Sequence, residues 1–236
     1  STHCISSAAS DVYKRQGMIS MPKVAVMAGT PIDTRMGADL LNEISCELLE
    51  VPISENPAQQ TYFQTLPVFE KMHQIEVKIK DLQSKKIDLL LVYCNSLSAS
   101  IDFDFLAKKY SMKIITPFQV YADLAQKHER IGVLTANGQG AAGIESVLVQ
   151  HHSTIRVYNV TNLDWVHAVE AKIHPSIIVE QFGLTDSMSF FMKNQVEAIL
   201  IGCTHFPYFL TEYQSRTRIP CINPDDALIE KVKSIL

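Results

Sequence analysis

Three segments from the first half of the chain recur in order in the second half, and this repeat limits the possible folds more than any other feature. Lys23–Thr30 (KVAVMAGT) aligns with Arg130–Asn137 (RIGVLTAN), and Ile87–Asn95 (IDLLLVYCN) with Val196–Thr204 (VEAILIGCT). Ile114–Pro117 (IITP) aligns with Cys221–Pro224 (CINP), and the three offsets are 107, 109 and 107 residues. Self-similarity at a fixed spacing points to two copies of one structural unit. Any two parallel strands share apolar runs. They do not also share an acidic residue, an apolar run and then a cysteine at matching places.

Each copy alternates short runs rich in Val, Ile and Leu with longer amphipathic stretches. Strands are predicted at Lys23–Ala28, Ile87–Tyr93, Lys113–Thr116, Ile131–Thr135, Thr154–Asn159, Val196–Ile201 and Pro220–Ile222. Helices are predicted at Gly37–Leu49, Pro67–Gln83, Phe118–Glu129, Ala141–Gln150, His174–Lys193 and Asp226–Ile235. The strands are almost wholly apolar, as in parallel sheets covered on both faces. The alternation predicts an α/β fold. Its architecture is two similar lobes, each a parallel sheet flanked by helices, related by a pseudo-two-fold axis with a cleft between them. Residues 18–116 and 208–236 are assigned to the first lobe and 117–207 to the second. The last strand and helix are returned to the first lobe because Asn223-Pro224 echoes Thr116-Pro117. No long Gly/Ser/Pro linker interrupts the chain, so the lobes are expected to pack tightly.

The first sixteen residues, STHCISSAASDVYKRQ, differ in character from the rest. They are small and polar, lack the apolar centre of a signal peptide, and resemble a translated vector flank. Residues 1–17 are therefore set aside with Cys4, and the natural start is expected at Met18 or Met21. Hydrophobic residues make up 47% of the chain and the formal net charge is −4, with Lys and Arg dispersed. That excludes a basic nucleic-acid-binding face. No run of about 18 apolar residues is present, so no membrane span is expected. Cys46, Cys94, Cys203 and Cys221 form no CxxC pair. Zinc-ribbon and thioredoxin readings fall, and free thiols in a reducing cytoplasm are expected.

Cys94 and Cys203 stand at equivalent places in the repeat, each directly after a strand and before polar residues: Cys94-Asn95-Ser96 and Cys203-Thr204-His205. The carboxyl ends of parallel strands line the ligand crevice of such sheets. Free N–H groups at the next helix turn favour a thiolate or a bound anion. Inverting a chiral carbon needs one group to remove a proton and another to deliver one on the opposite face. Thiols suit that work, since their ordinary pKa of about 8.5 is tunable by nearby charge. Two repeat-related lobes would set one thiol on each side of a shared cleft.

At these residues the chain resembles the aspartate/glutamate racemase superfamily. Gly202-Cys203-Thr204-His205-Phe206-Pro207 looks like its second-cysteine motif, and Cys94-Asn95-Ser96 is similar to its first, Cys-Asn-Thr in many members. Ile131–Asn137 resembles the start of the second lobe, and Asn223–Ala227 the stretch where the chain re-enters the first. The resemblance implies racemisation of an acidic α-amino acid, aspartate or glutamate, without metal, pyridoxal phosphate or other cofactor. Cys94 and Cys203 would exchange the proton, with His205 and Asp33 in supporting catalytic roles. Thr30, Asn95, Ser96, Thr135 and Thr204 would bind substrate, and a homodimer is implied. Hydantoin racemisation and dicarboxylate cis–trans isomerisation remain related alternatives, and a non-enzymatic binder of small anions is the alternative from another class.

Two stretches depart from the family pattern. Glutamate racemases have an acidic residue, Ser and a Gly-rich turn after the first strand, where this chain has Ala28-Gly29-Thr30-Pro31-Ile32-Asp33-Thr34. Their Pro-Tyr-Gly feature is absent; the nearest segment, Pro57-Ala58-Gln59-Gln60-Thr61, is more polar and resembles it only loosely. Asp33 is read either as the cap of a helix starting near Gly37 or as an acidic partner in catalysis. Cys46, expected on the apolar face of a helix, and Cys221, expected in a strand, are read as packing residues. Gly29 and Gly138 are read as permitting tight turns. The adjacent His151-His152 pair diverges at a helix end and is not expected to hold metal. No GxGxxG follows the first strand.

Overall fold

The computed structural model describes residues 20–236; the flank with Cys4, and Met18, lie outside the described residues. Among the described residues, eight strands form two four-stranded parallel sheets. In the first, β1 (Lys23–Ala28), β2 (Glu47–Pro52), β3 (Leu89–Val92) and β4 (Ile114–Ile115) lie in the order β2-β1-β3-β4. In the second, β5 (Arg130–Thr135), β6 (Arg156–Thr161), β7 (Ala198–Ile201) and β8 (Cys221–Ile222) lie in the order β6-β5-β7-β8. The strand orders match one for one. Val24 pairs with Leu89, and their repeat mates Ile131 and Ala198 pair in the same way. The repeat in the sequence is a repeat of topology.

Helices follow most of the strands. In chain order they are α1 (Pro31–Leu40), α2 (Pro57–Thr65), α3 (Val68–Ser84), α4 (Asn95–Ser100), α5 (Phe103–Tyr110) and α6 (Phe118–Ala125). Then come α7 (Gly138–His151), α8 (Asp164–Glu170), α9 (Pro175–Gln181), α10 (Leu184–Lys193), α11 (Pro207–Arg216) and α12 (Asp225–Ile235). The inner strands are buried, β1 from Val24 onward and β3 throughout, and α3 lays Ile75, Ile79 and Leu82 against the same core at helical spacing. Trp165, Phe191, Phe206, Phe209 and Tyr213 fill the core on one side of the second sheet. None of the helices described is long and apolar enough to cross a membrane.

Several sequence expectations need correction. The region predicted as one helix, Gly37–Leu49, is the end of α1, a loop and strand β2. Glu47, Leu48, Leu49 and Glu50 favour helices in isolation, but pairing with β1 holds them extended as an edge strand. Cys46 thus sits in the loop before β2, half-buried against the first core, and not on a helix. The helix predicted over His174–Lys193 breaks into α9 and α10 at Gly183, whose φ of 79° lies in the left-handed region. The last strand also stays in the second unit, since β8 pairs with β7, and α11 packs into that core through Phe209 and Tyr213. Of residues 208–236, the last helix crosses to the first lobe, burying Leu228 and Val232 in its core. Gly29 and Gly138 do not adopt left-handed backbone, so their turns do not demand glycine.

The two units meet along α4 and α7. A Cβ on Gly143 of α7 would meet the Ala99 Cβ of α4, and Phe118 Cζ at 2.7 Å, so glycine is what lets these helices touch.

Candidate active site

A narrow cleft opens where the carboxyl ends of the two sheets face each other. Cys94 and Cys203 both line it. Each follows the strand that sits third in its sheet order, β3 or β7, so the two sulfurs occupy equivalent strand ends. Asp33, Asn95, Ser96, Thr30, Thr204 and His205 line the same cleft. Thr135 does not. It is fully buried at the end of β5, with its methyl group against Gly202, and Ala136 and Asn137 take the lining positions instead. Gly202 has no room for a side chain there: a Cβ would lie 2.8 Å from the Leu134 carbonyl oxygen.

Cys94 caps α4, and its sulfur lies 3.5 Å from Ser96 Oγ. Its thiol is not acidified. Burial, reinforced by the nearby Asp33 carboxylate, pushes it up to about 12, and the hydrogen bonds from Ser96 and the Leu97 N–H offset only part of this. The sequence-based expectation that a strand-end position favours the thiolate is therefore reversed for Cys94. α4 has only six residues, and its positive end does not outweigh desolvation.

Cys203 has a different setting. Its sulfur is 3.9 Å from His205 Nδ1, and the other ring nitrogen, Nε2, is 2.9 Å from Glu170 Oε1. Asp33 Oδ1 lies 3.5 Å from His205 Nδ1. Burial alone would lower the histidine's affinity for a proton. Asp33, Cys203 and Glu170 together outweigh it and hold His205 well above its ordinary value. A cationic imidazole next to Cys203 Sγ faces the negative charge a thiolate would carry.

Asp33 is not the cap of α1. Thr30 is: its Oγ1 accepts from the Asp33 N–H at 3.2 Å and donates to Glu170 Oε1 at 2.5 Å. The Asp33 carboxylate instead accepts from the Gly29 N–H at 3.3 Å and from Thr204 Oγ1 at 2.6 Å. Burial raises its pKa, and His205 with these two donors pulls partly the other way. The contacts of Thr204 with Asp33 and of Thr30 with Glu170 both span the two units. The two units are thus joined at the cleft by a chain of polar contacts: hydrogen bonds from Thr30 to Glu170, between Glu170 and His205 and from Thr204 to Asp33, with the His205–Asp33 ion pair between them.

Glu170 is a site residue that the sequence does not signal. It ends α8, a short helix with no side-chain cap and no motif around it. Burial pushes its carboxyl up, but hydrogen bonds from His205 and Thr30 outweigh that and hold it low. Asn95 lies where the sequence puts it, and its environment is specific: Oδ1 accepts from the buried Tyr121 hydroxyl at 2.6 Å, while Nδ2 has no partner among the described residues. Ser96 Oγ accepts from Gln64, which in turn accepts from Asn137 across the seam between units. Cys221 lies in β8, half-buried against the second core, away from the cleft. His151 and His152 face the carbonyl oxygens of Val147 and Ala125, also outside it.

These features define a class: two-lobed α/β proteins with a thiol from each lobe in one polar interlobe cleft. The family model described as Asp/Glu/Hydantoin racemase matches residues 53–232, and the chain belongs to that family. A glutamate racemase from Pediococcus pentosaceus is 23% identical over 63% of this chain and 55% of its own length. One from Limosilactobacillus reuteri is 21% identical over 71% of this chain and 64% of its own length. The chain thus spans about 55–64% of the length of these curated relatives. Among solved structures, the aspartate racemase of Picrophilus torridus aligns with a TM-score of 0.65 at 18% identity, covering 91% of this chain and 94% of that one. These likenesses establish the shared fold.

Proposed function

We propose that the protein is a cofactor-independent racemase of an acidic α-amino acid, aspartate or glutamate. The observation that carries this reading is the pair of cysteines at equivalent strand ends, both lining one cleft. The relatives named as aspartate and glutamate racemases support the substrate class. In this reading the α-carbon sits between the two sulfurs. One thiolate takes the α-proton while the opposite thiol delivers its own proton to the other face. The product leaves with its configuration inverted, and the enzyme is left with the two protonation states exchanged. Cys94, which holds its proton firmly in the free protein, begins as the donor. Cys203, facing the His205 imidazolium, begins as the base. Asn95, Ser96 and Thr204 hold the α-carboxylate and amino groups, and Asp33 with Glu170 keeps His205 charged.

The test is incubation of the purified protein with each enantiomer of aspartate and glutamate in heavy water without added cofactor. Deuterium should enter the α-position and the optical rotation should decay. Cys94→Ser and Cys203→Ser should each abolish racemisation. A variant that keeps full turnover would refute the two-base mechanism, and no exchange with any amino acid would refute the activity.

A further inference from the structure

Four buried side-chain polar atoms lack a partner among the described residues: Gln60 Nε2, Asn95 Nδ2, Thr135 Oγ1 and Asn159 Oδ1. Unsatisfied buried groups are rare and call for a physical reason. Two of the four are amide nitrogens of residues that line the cleft, Gln60 and Asn95. In both, the carbonyl end is already engaged. Ser54 Oγ donates to Gln60 Oε1 at 3.1 Å, and Tyr121 OH donates to Asn95 Oδ1 at 2.6 Å. Each amide is therefore held with its NH2 group free to donate.

Gln60 is only 7% exposed. Its stem rests on Gly29, where a Cβ would lie 3.0 Å from both Cγ and Cδ. Glycine at that position lets the amide settle beside the turn that carries Thr30 and Asp33. Asn95 and Gln60 project from different elements, α4 and α2, so the cleft offers two separate donors. If Asn95 takes the α-carboxylate, the Gln60 donor is left for a second group. Among the described residues no Lys or Arg lines the cleft, and His205 is already engaged by Glu170 and Asp33, so the second donor is the neutral Gln60 amide.

We infer that Gln60 is the specificity-determining residue, its Nε2 donating to the oxygen at the end of the substrate's side chain. The site then takes an α-amino acid whose side chain ends in a carboxylate or carboxamide. This inference rests on the racemase reading above.

The experiment measures kcat/KM for α-deuterium exchange with aspartate, glutamate, asparagine, glutamine and 2-aminobutyrate. In the unaltered protein at least one oxygen-bearing substrate should far exceed 2-aminobutyrate, which has no acceptor. Gln60→Met keeps the length and removes the donor. It should lower the oxygen-bearing substrates by about 10- to 100-fold and 2-aminobutyrate much less, closing the gap. Gln60→Glu puts a negative charge in place of the donor. That charge repels a substrate carboxylate but can accept from a carboxamide N–H, so the variant should lower aspartate and glutamate more than asparagine and glutamine; acids and amides lowered by one common factor would count against contact with the side-chain end. Ser54→Ala, outside the cleft, frees the amide to turn and should shift selectivity in the same direction by a smaller factor. Two results would overturn the inference while leaving the racemase reading intact: 2-aminobutyrate exchanged as fast as the rest, or all substrates slowed by one common factor in the Gln60 variants. No exchange with any amino acid would overturn both.

Discussion

Gly143→Ala tests the packing that joins the two units and, through it, the catalytic geometry. The added methyl would meet the Ala99 Cβ, Phe118 Cζ at 2.7 Å and the Ala99 backbone Cα at 3.1 Å, where ordinary contact begins at 3.4 Å. A phenylalanine ring can turn aside, but the Ala99 Cβ, fixed to the α4 backbone, cannot, so α4 and α7 must part by about 1 Å. Overpacking of this kind costs about 1–3 kcal/mol. For a protein of this size a loss of about 2 kcal/mol lowers Tm by about 4–8 °C. The consequence does not stop at stability, because α4 carries Asn95 and Ser96 and begins at Cys94. A displacement of about 1 Å at reacting groups can lower turnover about 100-fold. Gly138→Ala, in the first turn of the same helix with nothing within 4 Å of the added carbon, is the control. It should be neutral or stabilise by up to about 1 kcal/mol, as glycine costs that much relative to alanine in helices. Thermal melts and exchange kinetics of both variants provide the readout. Equal Tm values for the two would refute the argument that Gly143 is required by close approach.

Glu170→Gln should bring His205 down toward its ordinary value, by removing a carboxylate 2.9 Å from Nε2. His205 is held high in the folded state, so its contribution is present at low pH and lost as pH rises through that raised value. Glu170 is held low, so its contribution appears above the ordinary carboxylate value of 4.5. The variant should therefore lose about 1–3 kcal/mol between those limits and less on the alkaline side; urea midpoints across pH would check this, and a loss that grows toward alkaline pH would contradict it. Cys94, buried and pushed up to about 12, should resist iodoacetamide near neutrality and react faster with each rise in pH, as followed by mass spectrometry. A labelling rate that levels off near neutral pH would show an acidified thiol instead.

The parts of the fold that were legible in the sequence are those whose pattern comes from burial on both faces. Lys23–Ala28, Ile131–Thr135 and Val196–Ile201 are predicted strands that the structure contains within two residues, and all border or form the sheet interiors. Edge strand Glu47–Pro52 is half-buried along most of its length and uses helix-favouring residues, so its identity depends on pairing with β1 and not on its own pattern. The short helices Phe103–Tyr110 and Asp164–Glu170 were likewise invisible, since one or two turns give too few apolar repeats to register a period.

The same division decides which site residues could be found. Cys94, Asn95, Ser96, Cys203, Thr204 and His205 follow inner strands directly, so locating the strand locates the residue. Gln60 and Glu170 lie on elements whose pattern is weak, and neither belongs to a motif. For Gln60 a signal was present: Asn56-Pro57 is a good cap and first helical position, and Asn56 Oδ1 does accept from the Gln59 N–H at 3.0 Å. That would have placed a helix, although not its role, because the unpartnered amide exists only once Ser54 and Gly29 are set beside it. For Glu170 no local signal existed. Its partner His205 is 35 residues away and Thr30 is 140 away in the other unit, so its function depends on the docking of the two units. A cleft assembled from two repeats thus shows its repeated residues in the sequence. The residues that need the structure are those, like Gln60 and Glu170, that neither follow a repeated strand nor belong to a motif.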